Sequence, residues 1–332
     1  MTDPIDIVYL WCDGDEPSVA IKRQRLAAEK GIALKGKNGG VCRYRDNGEL
    51  RYALRSVELF APWIRRVHLV IDDDQTPPSW LDLSYGKLNV VRHSQILPPE
   101  ALPCFAARTI EFGIPHIPGL SERFLYSNDD MFFARPVLPG FFYADDGYPI
   151  CRYIQSKVDL AREYDSAYVS SICNNARFIR DQVVPGISGS TLPGSFLHMP
   201  HHNVDAYLKS TLLEFEDRFS EEVHRNLLFP FRDCSQLQRE VWSGYAQAVH
   251  KGHFRTVEHS WIKGVFKGCR RDSFQAHVGK DYLLKKFRAL NPYLFCFNDN
   301  PNATEKDWIE VRAFMDARFP NASSFEKNCA CS

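Results

Sequence analysis

The sequence has no long apolar run, no CxxC pair and no excess of charge of either sign. No stretch approaches the about 20 apolar residues that a membrane-spanning helix requires. The N-terminal segment "MTDPIDIVYLWCDGDE" places acids on both sides of a short apolar run, a pattern that signal peptides do not have. We therefore expect a cytoplasmic protein, and peripheral association with the inner membrane stays open.

Charge is balanced, because 41 Lys and Arg residues offset 41 Asp and Glu residues. A chain without net charge does not attract polyanions over long distances, so we expect no nucleic-acid partner. The ten cysteines are scattered, and their spacing matches no zinc framework, so we expect reduced thiols. Cys329 and Cys331 form a C-x-C pair at the C-terminus, which is either a metal or lipid site or a frayed surface pair.

What the chain has is an ordinary globular composition, with 332 residues of which 44% are hydrophobic and 25% charged. Four apolar, β-branched or aromatic runs predict buried strands at residues 5–12, 66–72, 88–93 and 123–128. Apolar residues at helical spacing predict one helix from Leu50 to about Pro62 and another over residues 105–112. The strand-helix-strand order predicts an α/β fold with a mostly parallel, Rossmann-like sheet flanked by helices.

The second half of the chain has a different pattern. Helical periods recur at residues 204–219 and 235–249, whereas residues 183–196 are rich in Gly, Pro and Ser and predict a loop. We therefore predict an α/β core over residues 1–145 and a mainly helical region over residues 146–332. No linker separates the two, so we expect the helical region to pack on the sheet and to complete one active site.

The segment "FLYSNDDMFF" interrupts an apolar run with Asn128, Asp129 and Asp130 at the end of a predicted strand. Burial of two adjacent carboxylates is costly unless a cation or hydrogen-bond donors meet them. Mg²⁺ and Mn²⁺ prefer such oxygen ligands, so we interpret the pair as a divalent-cation site. The alternative is an acidic turn in which Asp129 caps the next segment.

Other polar clusters also follow strands: Asp13 and Gly14 come after the first, and the "DDD" of residues 72–74 after the second. Ligands bind at the carboxyl ends of strands in open α/β sheets, so we expect these clusters to meet at one edge. A late segment, "LFCFNDNPN", interrupts another apolar run with Asp299 and Asn300. It is either a simple turn or a further part of the same site.

The segment "RYRDNGELRYALRS" allows two interpretations. Asp46 and Glu49 match a capping box, and the arginines that follow would then lie on a solvated face. Alternatively, the helix N-terminus and its arginines bind a phosphate group. The free N–H groups of the helix would then bind the phosphate, and Arg51 and Arg55 would add bidentate donors.

Three histidines stand in "GSFLHMPHHNVD", namely His198, His201 and His202. The first two have the spacing of a zinc pair, but no third soft ligand is near and Pro200 disfavours a helix. A single histidine as general base is the simpler interpretation, and a structural role is the alternative for each. Arg232 in "FPFRDC" is either a phosphate clamp or the partner of Asp233.

In their order, these motifs are similar to the four conserved regions of the Stealth family, the sugar-1-phosphate transferases that include bacterial capsule polymerases and the lysosomal-enzyme N-acetylglucosamine-1-phosphotransferase. The first region resembles "IDIVYLWCDGDE". The second resembles the run from "RYRDNGELRYALRSVELFAPWIRRVHLVIDD" to "IPGLSERFLYSNDDMFF". The third resembles "HMPH" with "FRDCSQLQ", and the fourth resembles "CFNDN". The chain departs from the family pattern at Ala106 and Ala107 and at the "DDD" turn.

The resemblance implies a GT-A-like fold, a UDP-sugar donor, commonly a UDP-N-acetylhexosamine, a carbohydrate acceptor and Mg²⁺ or Mn²⁺. An acceptor hydroxyl would attack the phosphorus that carries the sugar and release UMP, which forms a phosphodiester in capsular or surface polysaccharide. The implied catalytic residues are Arg232, Asp46, Arg51, Asp130 and, as general base, His198. The implied metal ligands are Asp129, Asp130, Asp299 and Asn300. Donor or acceptor contacts are implied for Asp13, Gly14, Asn47, Glu49, Arg55, Asn128 and His201.

Two other functions stay open. A metal-dependent glycosyltransferase would use the same donor but would attack the anomeric carbon and release UDP. A non-catalytic carbohydrate-binding protein would bind sugar without releasing nucleotide, and it would tolerate Asp130→Asn.

Overall fold

The computed structural model describes residues 3–34, 43–257, 272–279 and 283–327. Four cysteines lie outside these ranges, namely Cys42, Cys269, Cys329 and Cys331. The prediction for the C-terminal C-x-C pair therefore stays a prediction. Five of the cysteines within the described ranges are free thiols, as expected: Cys12, Cys104, Cys151, Cys173 and Cys296.

The described strands, in chain order, are β1 (Ile5–Leu10), β2 (Ile64–Ile71), β3 (Leu88–Arg92), β4 (Arg123–Asn128), β5 (Met131–Phe133), β6 (Ile150–Lys157), β7 (His198–Pro200), β8 (Asp205–Leu208), β9 (His253–Val257), β10 (Ser273–His277) and β11 (Leu294–Asn298). Five of them form the central sheet in the order β3-β2-β1-β4-β8. The first four run parallel, and β8 pairs antiparallel with β4. The predicted α/β fold with a mostly parallel sheet is confirmed.

The described helices are α1 (Pro17–Glu29), α2 (Glu49–Phe60), α3 (Ala107–Gly113), α4 (Ala167–Phe178), α5 (Val184–Gly186), α6 (Lys209–Arg218), α7 (Ser220–Leu227), α8 (Glu240–Ala248), α9 (Leu283–Leu290) and α10 (Glu305–Arg318). They cover both faces of the central sheet. Successive side chains of a strand point to opposite faces, so one strand contributes to a core on each side. Ile7 and Tyr9 of β1 join one core with α2, whereas Val8 joins a second core with α3 and α8. None of the helices in the described ranges is both long enough and apolar enough to cross a membrane.

Two three-stranded sheets extend this centre, in the orders β10-β11-β5 and β7-β6-β9. The predicted helix over residues 204–219 is wrong at its start, since Asp205–Leu208 is strand β8 and only α6 is helical. The reason is tertiary, because the backbone of β8 completes the edge of the sheet against β4. The predicted loop over residues 183–196 begins with π-helical and α-helical turns that end at Gly186.

A buried ion network fixes the edge of the sheet opposite the strand carboxyl ends. Asp6 is fully buried and accepts bonds from Arg65 at 2.6 and 2.8 Å and from the Ser121 N–H at 2.9 Å. Its carboxylate also lies 3.0 Å from Nε2 of His68. Burial alone would raise the pKa of Asp6, but the bonds from His68 and Arg65 outweigh burial and hold it well below its usual range.

We expect Asp6→Asn to lower the free energy of unfolding at pH 7 by about 3 kcal/mol, because it leaves buried donors without a charged partner. A depressed carboxyl pKa stabilises the fold above about pH 4, and this contribution is lost as the pH falls further. Urea denaturation should therefore show the full effect at pH 7 and a smaller but still measurable effect at pH 3, because the contribution is lost completely only when the pH falls through the depressed pKa of the folded state. Asp3→Asn is the control, since Asp3 makes an exposed pair with Arg123 and should cost under about 1 kcal/mol. Equal losses in the two variants would contradict this account.

Candidate active site

The carboxyl ends of β1 and β4 lie side by side, with Leu10 paired to Asn128. The turn after β4 and the loop before α2 bring acids to this edge. We call these four carboxylates the acidic cluster: Asp46, Glu49, Asp129 and Asp130. They are close enough that Glu49, Asp130 and Asp46 each raise the pKa of Asp129. The structure thus gathers predicted site residues from two distant segments.

Burial and mutual repulsion raise the pKa values of the acidic cluster. Burial is the largest cause for Glu49, whose pKa rises to about 7 although Asn47 donates to its carboxylate. Burial also raises the pKa of Asp130 to about 6, and the charge of Asp299 adds to this rise. The pKa of Asp129 is raised well above its ordinary value by burial and then by its acidic neighbours. Such a cluster favours binding of protons or of a cation.

One atom of the acidic cluster points to the binding of a cation in particular. Oδ1 of Asp130 is buried, and it has no hydrogen-bond partner among the described residues. An orphaned buried carboxylate oxygen is costly unless a positive group meets it. Because hard divalent cations take carboxylate oxygens as ligands, Asp129 and Asp130 with the neighbouring Glu49 fit such an ion.

Asp299 reaches the same region, since the N–H of Phe297 donates to the carbonyl of Asp130 at 3.3 Å. Its carboxylate is nevertheless held by Arg45, with bonds of 2.6, 2.8 and 3.0 Å, and by Nε1 of Trp308 at 3.2 Å. The predicted role of Asp299 as a metal ligand is therefore corrected. Both of its oxygens already have donors, and the residue anchors Arg45 beside the cluster.

Two predicted amide side chains, a substrate contact at Asn128 and a metal ligand at Asn300, are also engaged within the chain. Oδ1 of Asn128 accepts a hydrogen bond from the Tyr126 hydroxyl at 2.7 Å. Oδ1 of Asn300 accepts the N–H of Asn302 at 2.9 Å, as in an Asx turn. The simple-turn interpretation therefore holds for Asn300, and its predicted role as a metal ligand is corrected.

The N-terminus of α2 is built differently from a capping box. Gly48 is the N-cap residue and has a left-handed φ of 84°. Its N–H donates to Asp46 at 2.8 Å, whereas Glu49 accepts both the N–H and the Nδ2 group of Asn47, at 2.7 and 2.9 Å. The capping-box interpretation is wrong, because no side chain caps the helix. These bonds instead hold Asp46 and Glu49 next to Asp129.

Arg51 and Arg55 do not join the acidic cluster through any contact described here. Arg55 forms bonds of 2.7 and 2.8 Å with Glu326 and donates to the carbonyl of Phe319 at 2.8 Å. Arg51 lies 3.4 Å from Glu326 and 4.9 Å from the ring centroid of Trp80. The predicted phosphate contact of Arg55 is therefore corrected, because its side chain fastens α2 to the C-terminal segment. That of Arg51, whose buried Nε has no hydrogen-bond partner among the described residues, stays a prediction.

The turn after β1 stands beside the acidic cluster, as predicted. The N–H of Asp13 donates to Oε1 of Gln75 at 2.9 Å, and the charge of Asp13 raises the pKa of Asp46, for which burial is the larger cause. The N–H of Gly14 donates to the carbonyl of Tyr44 at 2.7 Å. This close approach of two backbone segments positions the loop that carries Asp46.

We expect Gly14→Ala to destabilise the protein by about 2 kcal/mol, as overpacking does. A Cβ atom at residue 14 would lie 2.2 Å from Cβ of Tyr44 and 2.7 Å from its carbonyl oxygen. The loop would have to move, so melting temperature and activity should fall together. Gly86→Ala is the matched control, because its Cβ would meet no atom within 4 Å. Thermal melting that shows equal shifts for the two variants would refute this explanation.

His202, rather than His198, reaches the acidic cluster. A ring nitrogen of His202 lies within 4.8 Å of a carboxylate oxygen of Asp130. In contrast, Nδ1 of His198 lies 3.0 Å from the carbonyl oxygen of Ile154, and its ring packs against Phe254 with centroids 5.3 Å apart. Sequence spacing does not distinguish the two histidines, and the contacts described for His198 do not include the acidic cluster.

His201 and His202 differ in what surrounds their ring nitrogens. Nε2 of His201 lies 2.8 Å from Asp205 and Nδ1 lies 3.1 Å from the hydroxyl of Ser273, so both nitrogens are engaged and the structural alternative applies. Burial lowers the pKa of His202 to about 3, and the positive charge of Arg239 lowers it further. The His202 imidazole is therefore neutral at physiological pH.

Two arginines, Arg108 of α3 and Arg232 of the second half of the structure, lie near each other. Arg108 is buried and donates to the carbonyls of Asp233 and Ala167, each at 3.0 Å. Burial lowers the pKa of Arg108 to about 10, and the nearby charge of Arg232 contributes. Arg232 also lies close enough to lower the pKa of His202. The predicted Arg232 therefore has a cationic neighbour that sequence reasoning missed.

Arg23 of α1 is a further missed residue. Its Nη1 is buried without a partner among the described residues, and its guanidinium lies 3.9 Å from the ring centroid of Tyr44. Nη2 donates to the carbonyl of Gly14 at 3.4 Å. Because Arg23 lies within a helix and follows no strand, the rule that assigns polar residues at strand ends to a site does not find it.

Fold and site together define an open-sheet α/β protein with a ligand site at the strand carboxyl ends, where clustered carboxylates stand beside arginines. Residues 43–150 match the family profile described as Stealth protein CR2, conserved region 2. A conserved region of the Stealth proteins therefore lies within this chain, and the resemblance seen in the motifs is confirmed.

Curated relatives match almost the whole chain. Exopolysaccharide phosphotransferase SCO6023 of Streptomyces coelicolor is 39% identical over 98% of this chain and 52% of its own length. Exopolysaccharide phosphotransferase CpsY of Mycobacterium tuberculosis is 33% identical over 98% of this chain and 58% of its own length. The chain thus spans little more than half the length of these relatives. Among solved structures, the galactosyltransferase LgtC in complex with donor and acceptor sugar analogs is similar at a TM-score of 0.44 and 12% identity, covering 96% of each chain.

Proposed function

We propose that this chain transfers a sugar-1-phosphate, with an N-acetylhexosamine as the sugar, from a UDP-sugar to a hydroxyl group of a carbohydrate acceptor. UMP leaves, and the product is a sugar-phosphate-sugar diester of an exopolysaccharide. The observation that carries the proposal is the buried, orphaned Oδ1 of Asp130 within the acidic cluster. The names of the curated relatives, which are exopolysaccharide phosphotransferases, support this reaction class.

The acidic cluster supports a requirement for Mg²⁺ or Mn²⁺. Asp129 and Asp130 would hold the ion, and Glu49 stands next to them as a third carboxylate. Their raised pKa values show how poorly their charge is compensated by the described residues. When bound, such an ion would offset charge on the phosphoryl oxygens and on the leaving nucleotide.

The arginines supply fixed positive charge for the phosphoryl group. Phosphoryl transfer passes through a loose transition state whose charge is spread over the phosphoryl oxygens, so positioned donors stabilise it. Arg232 and Arg108 are held next to each other against their mutual repulsion, which an anion between them would relieve. Arg23 adds an unused buried N–H group beside Gly14. We assign the binding of the two phosphates to these three residues.

His202 is the general base in this proposal. Its neutral imidazole can accept the proton of the acceptor hydroxyl, whose oxygen then bonds to the phosphorus as the bond to UMP breaks. Asp205 and His201 form an ion pair with each other, and both lie near enough to His202 to influence its pKa. Base and cation ligand are neighbours, since Asp130 lies within 4.8 Å of His202.

The identity of the released nucleotide tests the proposal. The full chain is incubated with a panel of UDP-sugars, Mg²⁺ or Mn²⁺ and oligosaccharide acceptors, and the nucleotide is identified by mass. UMP is the expected product, and EDTA should abolish its release. Release of UDP would establish a glycosyltransferase instead. Sugar binding without any nucleotide release would establish a carbohydrate-binding protein.

A further inference from the structure

Cys296 brings a soft ligand to a site that otherwise offers hard oxygens. Its side chain is fully buried in the middle of β11, and its Sγ donates to Oδ1 of Asn298 at 3.1 Å. One Asp130 oxygen, one His202 nitrogen and the Cys296 sulfur all lie within 4.8 Å of one another. The proposed transfer reaction assigns no role to this thiol.

The convergence of these three ligands is built into the sheet topology. Cys296 pairs with Met131 across the antiparallel β5–β11 ladder, so it lies beside the turn that carries Asp130. His202 precedes β8, whose Asp205 pairs with Tyr126 of β4, the strand that leads into the same turn. Three separate segments of the chain therefore carry the three ligands.

We propose that Asp130, His202 and Cys296 form a binding site for one thiophilic divalent cation of the Zn²⁺ type. Sulfur, imidazole nitrogen and carboxylate oxygen are the ligands that Zn²⁺ takes, and three protein ligands with an open position are a common arrangement. Ligand atoms on a tetrahedral zinc ion lie about 3.5 Å apart, so side-chain rotations that shorten the observed separations by about 1 Å would close the site.

Other features of the site agree with this ligand class. Oδ1 of Asp130 has no donor among the described residues, so one ligand atom is unused. Zn²⁺ binds the thiolate, so binding releases the thiol proton to solvent. Mg²⁺ gains little from sulfur and from imidazole, so the thiol separates the two kinds of ion.

The site has a consequence that rests on the proposed function. Asp130 and His202 serve both sites, so a thiophilic ion would withdraw the cation ligand and the base together. Zn²⁺ should then inhibit sugar-phosphate transfer even in a large excess of Mg²⁺. Binding itself does not depend on the reaction, so a failed transfer assay and a failed binding assay are distinguishable.

Co²⁺ is the probe for binding, because a thiolate ligand gives it a charge-transfer absorption that oxygen and nitrogen ligands do not. The full chain is used with Cys329 and Cys331 replaced by serine, since this C-x-C pair is a competing site. One equivalent of Co²⁺ should give the band, and Zn²⁺ should abolish it by displacement. Cys296→Ser should lose the band, whereas Cys12→Ser, the matched control near Asp129, should keep it.

Zn²⁺ affinity is measured in parallel by competition with a fluorescent chelator. His202→Gln should weaken Zn²⁺ binding by about tenfold or more. Cys296→Ala serves beside Cys296→Ser, with circular dichroism as the folding control, and His202→Gln decides alone if neither cysteine variant folds. A band that survives in a folded Cys296 variant, or an unchanged affinity in His202→Gln, would overturn the proposal. In the transfer assay, Cys296→Ser should remain active and resist Zn²⁺.

Discussion

Asp130→Asn should lower the rate of sugar-phosphate transfer by at least about 100-fold, while the protein remains folded. The substitution keeps the shape of the side chain but removes the negative charge that would hold the cation. It also removes the repulsion with Asp129 and the cost of burying a charge. Loss of activity should therefore come without loss of stability.

The stability effect has a defined pH dependence. Burial raises the pKa of Asp130 to about 6, so the charged form is disfavoured in the folded, cation-free protein. The resulting penalty is absent below about pH 4, where the carboxyl is protonated in both states, and it is complete above pH 6. In EDTA at pH 8, Asp130→Asn should melt at least as high as the parent, and any gain should vanish near pH 4.

Asp74→Asn is the matched control for this prediction. Asp74 lies in the acidic turn after β2, is more than half exposed and is paired with Lys22 at 2.7 Å. Its substitution should change the transfer rate by less than about threefold, which is under 1 kcal/mol. If Asp130→Asn transfers as fast as Asp74→Asn, the acidic cluster does not carry the reaction.

His202→Gln should lower the turnover number by about 100-fold or more, because a positioned general base contributes at least that much. His198→Gln should change it by less than about threefold, which is under 1 kcal/mol. The two substitutions are chemically identical and lie four residues apart, so the pair tests position alone. Steady-state rates with saturating donor and acceptor give the comparison. A slow His198 variant with a fast His202 variant would restore the assignment suggested by the motif.

Much of the central sheet could be predicted from the sequence. Strands buried on both faces have nearly continuous apolar runs, and the four predicted runs correspond to β1–β4. The antiparallel strand β8 was missed because its four residues continue the helical period of α6. These residues form a strand because their backbone pairs with the edge of β4.

The candidate site was predicted in part. The rule that ligands bind at strand carboxyl ends finds Asp13, Asp129 and Asp130, since it depends only on strand order. It cannot tell an available carboxylate from one whose partner comes from elsewhere, as Arg45 does for Asp299. Arg55 shows the same limit, because its partner Glu326 lies 271 residues away along the chain.

The path of the β-phosphorus of the donor tests the central claim most directly. UDP-N-acetylglucosamine labelled at that phosphorus is incubated with the full chain, Mg²⁺ and an oligosaccharide acceptor. The account predicts that the label moves to the acceptor, appears there as a phosphodiester by ³¹P spectroscopy, and stays with the nucleotide when Asp130 is replaced by Asn. Glycosylated acceptor without label, with all label recovered in UDP, would contradict it.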